Sequence, residues 1–135
     1  MKQPRFIDTL RLPYAEFGAE LKREVRVIAS PQTTGESRMT LVSCVLPPGA
    51  VSENHVHDDY DEYIQFQTTG EVELDGVIQH VPAQGVIHVK AGLCHECRNT
   101  SGSKTLYLTC IFLPPLVPYG LYPDLMKRTK DQLQR

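Results

Sequence analysis

Two short stretches hold residues whose types and spacing could do chemistry: N-H-V-H-D-D-Y-D-E-Y at 54–63 and L-C-H-E-C-R at 93–98. In the first, His55 and His57 stand two apart. On an extended strand such side chains share a face, with Cα atoms about 6–7 Å apart. Both imidazoles can then reach one ion at about 2.0–2.1 Å. Glu62 follows a short acidic loop (Asp58, Asp59, Asp61) and can bring a carboxylate to the same point. His95, just after a turn at Gly92, offers a third imidazole. Three imidazoles and a carboxylate suit a mid-to-late first-row divalent ion and leave coordination positions open. An open position is what separates a catalytic site from a structural one. The competing reading is a solvated histidine pair beside a charged loop. The order of a proline stop, Gly49, two histidines, a carboxylate and a third histidine favours the site.

The second stretch first suggests a dithiol, because Cys94 and Cys97 lie three apart. If His95 points inward, strand alternation puts Cys97 on its face and turns Cys94 and Glu96 away. Two thiols on opposite faces of one straight strand neither share an ion easily nor form an unstrained disulfide. A second C-x-x-C is missing. Cys97 is therefore a candidate cavity-lining thiol, weighed against a small buried hydrophobe.

Strands must position these groups. Met39–Leu46 is β-branched and apolar and ends at Pro47-Pro48-Gly49. Tyr63–Thr69 alternates, with Ile64 and Phe66 on one face. Glu71–Leu74 and Val77–Val81 flank Asp75-Gly76, a two-residue hairpin signal. Val86–Lys90 and Thr105–Leu113 follow, and Glu24–Ala29 reads as a strand. Short strands joined by hairpins indicate an antiparallel barrel or sandwich. Arg11–Arg23 is compatible with a short helix. The proline-rich segment 114–123 should cross extended, and Asp124–Arg135 should be a helix packed on the barrel or on a second subunit, without a chemical role.

At 135 residues with 41% hydrophobic content, one domain with one core is expected. A net charge of −2 gives no basic field for nucleic acid or anionic lipid. No apolar run approaches the roughly 20 residues of a membrane helix. The N-terminal residues lack the apolar stretch of a signal peptide. A cytoplasmic protein with four reduced cysteines (Cys44, Cys94, Cys97, Cys110) is the expectation.

The two stretches together resemble the cupins. The first cupin motif, G-x5-H-x-H-x3-4-E-x6-G, is similar to Gly49-(x5)-His55-x-His57-(x4)-Glu62-(x7)-Gly70, with one extra residue before the last glycine. The second, G-x5-P-x-G-x2-H-x3-N, is similar to Gly85-(x4)-Lys90-x-Gly92-(x2)-His95-(x3)-Asn99. Here Lys90 replaces the proline, and one residue is missing after Gly85. The resemblance implies an all-β, double-stranded β-helix (jelly-roll) barrel with a core at about 36–113. It implies His55, His57, Glu62 and His95 as ligands to one divalent ion per subunit, Fe(II) first, with Mn, Ni or Zn as alternatives. It also makes a homodimer the expected assembly.

A fold does not choose a reaction. Dioxygenase-type oxidation of a small organic molecule is the first expectation. A non-redox isomerase, lyase or polyketide-cyclase-like reaction is the alternative, with Tyr60 or His88 as base, and a non-catalytic binding protein is the third. Ile64, Phe66, Cys97 and Tyr107 are the expected cavity wall.

Overall fold

The computed structural model describes residues 5–18, 20–53 and 55–135. Residues 1–4, which open the stretch read for a signal peptide, Ala19, which falls within the stretch read as compatible with a short helix, and Asn54 lie outside the described residues. Nine strands and one helix follow in order: β1 (Ala15–Phe17), β2 (Arg23–Ala29), β3 (Thr40–Leu46), β4 (Asp61–Phe66), β5 (Gly70–Leu74), β6 (Val77–Val81), β7 (Val86–Val89), β8 (His95–Arg98), β9 (Leu106–Leu113) and α1 (Tyr122–Leu133). A six-stranded sheet runs β1-β2-β3-β9-β4-β7 and a three-stranded sheet runs β6-β5-β8. Every pairing between them is antiparallel.

Alternation decides what faces inward. On β9, Leu106, Leu108, Cys110 and Phe112 are buried, whereas Tyr107 and Leu113 are exposed. On β4 the buried set is Glu62, Ile64 and Phe66. The apolar ones among these join Val25, Val27, Val42, Cys44 and Leu46 from the large sheet and Val72, Val81 and Cys97 from the small one in a single core. Asp75 (φ 47°) and Gly76 (φ 83°) form the expected tight turn between β5 and β6, both with positive φ.

Two expectations change near the N-terminus. Instead of a helix over Arg11–Arg23, there is one 3-10 turn at Thr9–Arg11 and then strand β1. β1 pairs with β2 in register, Phe17 opposite Arg23, and this pairing satisfies backbone groups that a short, weakly amphipathic helix would leave to solvent. The sheet thus begins at Ala15, well before position 36. At the other end α1 buries Tyr122, Leu125, Met126 and Thr129. Their i, i+3, i+4, i+7 spacing makes one stripe, which packs against β2. No helix among the described residues is long and apolar enough to cross a membrane.

Candidate metal centre

Each ligand candidate is held by a different device. Glu62 is carried inward by the alternation of β4, between Phe112 of β9 and Val89 of β7. His95 opens β8, opposite Leu74. The H-x-H segment is not a regular strand: a lone bridge pairs His55 with His95, through His55 N–H to His95 O (3.0 Å) and His95 N–H to His55 O (2.9 Å). His57 is fixed instead through its carbonyl, which accepts from Gly92 N–H at 2.7 Å. Gly92 has φ 86°, a conformation that glycine adopts without a Cβ clash.

The ligand atoms of His55, His57, Glu62 and His95 all lie within 4.8 Å of one another, a group that can hold a metal ion. The three rings cluster with centroid separations of 4.6, 4.2 and 5.1 Å. Their outer nitrogens are all engaged. His55 Nδ1 sits 2.7 Å from Glu53 O and His95 Nδ1 3.2 Å from Leu93 O. A carbonyl only accepts, so both Nδ1 atoms carry a proton, and in the neutral rings both Nε2 lone pairs face the centre. His57 Nδ1 lies 3.1 Å from Tyr60 Oη.

Those lone pairs give the test of fit. Glu62 Oε1 stands 3.1 Å from His95 Nε2 and 3.4 Å from His57 Nε2. An acceptor facing acceptors is repulsive unless a cation or a proton lies among them. His57 Nε2 is moreover buried without a hydrogen-bond partner, a costly state for a polar atom. A divalent ion bound by these four atoms answers both problems, and the donor set of imidazole and carboxylate suits zinc and the redox metals around it.

Tyr60 acts on the centre through His57. Its ring lies 4.8 Å from that imidazole and 5.3 Å, edge-on, from Phe112. With His57 Nδ1–H donating to Tyr60 Oη, the ring keeps Nε2 free for the ion. Tyr60→Phe preserves the packing and removes the acceptor. We expect metal affinity to fall about 10-fold or more, the usual cost of losing an outer partner of a ligand, with calorimetric titration as the check.

Charge at the centre follows from burial and neighbours. Burial pushes the Glu62 carboxyl up, but without a metal the hydrogen bonds and charge that His57 and His95 supply when protonated at Nε2 outweigh it and bring it down to about 2. Burial lowers His55 from 6.5 to about 4, with the neighbouring imidazoles adding to the effect. The consequence for the metal-free protein has a definite sign. Between pH 6.5 and about 4 the unfolded chain protonates His55 while the folded chain does not, so stability is lost as pH falls. After allowance for partial solvent exposure, a loss of about 2 kcal/mol across that window is expected. Urea unfolding of wild type and His55→Gln at successive pH values isolates it: the variant's curve should be flatter.

Beside the four ligands lies a cavity of about 340 Å³, at the small end for ligand pockets. Its wall includes Ile64, Cys97, Leu108 and Phe112. Other expected wall residues lie elsewhere. Phe66 faces inward but is fully buried in the core and does not line the cavity. Tyr107 is on the outer face of β9, 37% exposed. His88 also faces outward: it stacks on its cross-strand neighbour Tyr63 (4.4 Å, 4° between planes) and meets Asp61 Oδ2 at 3.1 Å. It is therefore no base for chemistry in the cavity. Tyr60 stands behind His57 rather than on the wall.

Sequence reading missed other members of the wall. Phe17 and Arg23 come from β1 and β2, Cys44 and Cys110 from β3 and β9, and Leu116, Tyr119 and Tyr122 from the proline-rich segment and the start of α1. The tail thus helps close the cavity. Burial pushes the Cys44 thiol up to about 12 and those of Cys97 and Cys110 well above the ordinary value. All four cysteines are free thiols.

Comparison with solved structures places this architecture. The chain superposes on a predicted oxalate decarboxylase from Thermotoga maritima with TM-score 0.71 at 17% identity, over 82% of this chain and 99% of that one. It superposes on an RmlC-like cupin from Shewanella frigidimarina with TM-score 0.61 at 19% identity, over 83% and 92%. The chain has the cupin fold. KdgF from Halomonas sp. shares it too, with TM-score 0.66 at 16% identity over 83% and 94%. No protein-family profile matches the chain, and no curated protein is similar to it in sequence. At these identities the cupin fold is what the likeness carries, and the reaction must be argued from the site.

Proposed function

We propose that this cupin-fold chain is a mononuclear metal-dependent enzyme that oxidises a small organic molecule in its cavity, in the manner of a dioxygenase, with Fe(II) as the first choice of ion and Mn or Ni behind it. The observation that carries the reading is the pairing of an inward-facing His-His-His-Glu group with a small wall that is mostly apolar. An ion held by His55, His57, Glu62 and His95 would supply the redox chemistry with O2 that such an oxidation needs. The chain's own residues do the rest. Glu53 O, Leu93 O and Tyr60 Oη hold the three rings in the ligating tautomer. Glu62 offsets part of the ion's charge. Phe112, Leu108, Leu116 and Ile64 exclude water and pack the apolar part of the substrate.

Acid–base chemistry is less well served. His88 is on the outside, Tyr60 is engaged by His57, and burial raises its phenol above the ordinary value. One observation keeps a Lewis-acid reading in view: the Glu53 carboxylate reaches the cavity mouth and can take a proton there. The test is to load metal-free protein anaerobically with Fe(II) or Zn(II) and follow O2 uptake against phenols, thiols and keto acids. Substrate-dependent uptake with Fe(II) and none with Zn(II) is expected. Solvent proton exchange into a substrate with Zn(II), with no uptake under Fe(II), would replace oxidation by the Lewis-acid reading.

A further inference from the structure

Arg23 is the one cationic side chain among the described residues that line the cavity. It stands at the start of β2, on the same strand face as the buried Val25 and Val27. Its side chain is only 16% exposed. The guanidinium lies 5.4 Å from the centre of the Phe17 ring, which holds its stem against the wall. Its carboxylate partner is Glu53, at a long 3.4 Å, and that side chain is 60% exposed. A guanidinium presents five N–H donors in a rigid fork matched to a carboxylate. One long bond to a solvated glutamate leaves most of that capacity unused.

Charge points the same way. A divalent ion with the Glu62 carboxylate and three neutral imidazoles leaves one net positive charge, Arg23 adds another at the same cavity, and the solvated Glu53 carboxylate offsets only one of the two. The thiols do not compensate: burial raises those of Cys44 and Cys97, and Arg23 only partly counters it. A buried excess of positive charge is costly unless an anion meets it.

We infer that Arg23 anchors the carboxylate of a small, partly apolar organic acid, a substrate class that rests on the function proposed above. Phe17, Tyr119 and Leu116 then pack its apolar body, and the rest of the molecule faces the ligand group. Glu53 competes for the same guanidinium while the cavity is free of ligand, and gives way when the acid binds. Arg23 is thus a specificity-determining residue, and Glu53 tempers its affinity.

The test uses Zn(II)-loaded protein, in which a redox-silent ion prevents O2-dependent turnover, with phenylacetate, benzoate and butyrate as probes beside their primary amides. Binding is read by calorimetry. The acids should bind about 10- to 100-fold more tightly than the amides, the range expected for a charge-assisted hydrogen-bonded pair. Arg23→Met, which keeps the packing on Phe17, should erase that preference, and Arg23→Lys should restore part of it. Glu53→Gln should strengthen acid binding several-fold, an effect that a merely structural ion pair would not produce. Unchanged acid preference in a folded Arg23→Met protein overturns the anchor. Repeating the titrations in His57→Ala separates the two ideas. Acid binding that persists there and still depends on Arg23 upholds the anchor even if no metal chemistry is found. Acid binding that vanishes there while Arg23→Met keeps it in the Zn(II) protein assigns the carboxylate to the ion and overturns the anchor.

Discussion

His57→Ala should abolish stoichiometric metal binding while the barrel stays folded. The imidazole is one of four ligands, so its loss must exceed the about 10- to 100-fold that removal of an outer partner costs. Folding should survive because His57 lies outside the named strands, and its main-chain bond to Gly92 N–H does not need the ring. The ring packs edge-on to Phe112 at 5.7 Å and near Tyr60. Truncation therefore leaves a gap costing about 1–3 kcal/mol, partly offset because a buried nitrogen without a hydrogen-bond partner disappears with it. Glu62→Gln is the companion: it keeps the shape, removes the negative charge, and should also release the ion. Metal content after equilibration with one equivalent of Zn(II) or Fe(II), together with far-ultraviolet circular dichroism, decides the matter. A full equivalent of metal retained by folded His57→Ala would remove the His-His-Glu-His assignment.

How far the sequence carried the site depended on what each residue's position relies on. That His55, His57, Glu62 and His95 come together was legible because the spacing of His55, His57 and Glu62 and the glycine turns are local signals, and β4 alternates cleanly enough to send Glu62 inward with Ile64. Tyr107 was not. L-Y-L-T-C-I-F-L over Leu106–Leu113 carries apolar residues on both faces, so its period of two is hidden until pairing with β3 and β4 fixes which face is covered. Phe66 has the correct face but sits at the far end of β4, deep in the core. Arg23 was overlooked for a related reason. Its inward placement follows from β1 pairing with β2, and a three-residue strand has too little pattern of its own to be told from a helix or loop. The tail's contribution was likewise invisible, because Leu116, Tyr119 and Tyr122 reach the cavity only through the way segment 114–122 folds back over the barrel.

Asn99→Ala should be strongly destabilising, and its damage should be to stability alone. The side chain is 3% exposed, and its amide is fully committed. Nδ2–H groups donate to Leu46 O (3.0 Å), Pro47 O (3.1 Å) and Lys104 O (2.8 Å), while Oδ1 accepts from Ser101 N–H at 3.0 Å. One residue thus ties the end of β3 to the turn that leads into β9. Its own N–H also bonds Ala50 O, which secures the chain on its way to His55. Alanine leaves one buried and two partly buried carbonyls short of a donor, at a cost of about 3 kcal/mol, or a fall in melting temperature on the order of 10 °C. Asn99→Asp is the sharper variant. It has nearly the same shape but sets a second carboxylate oxygen against three carbonyls, so it should be at least as destabilising. If Asn99 acted only by filling space, the aspartate would be nearly neutral. Both variants should still take up one metal ion per folded chain, because no atom of Asn99 bonds to a ligand residue. Thermal unfolding measured beside metal content separates this scaffold role from that of His57, and a stable Asn99→Asp protein would show that the three carbonyls do not depend on the amide.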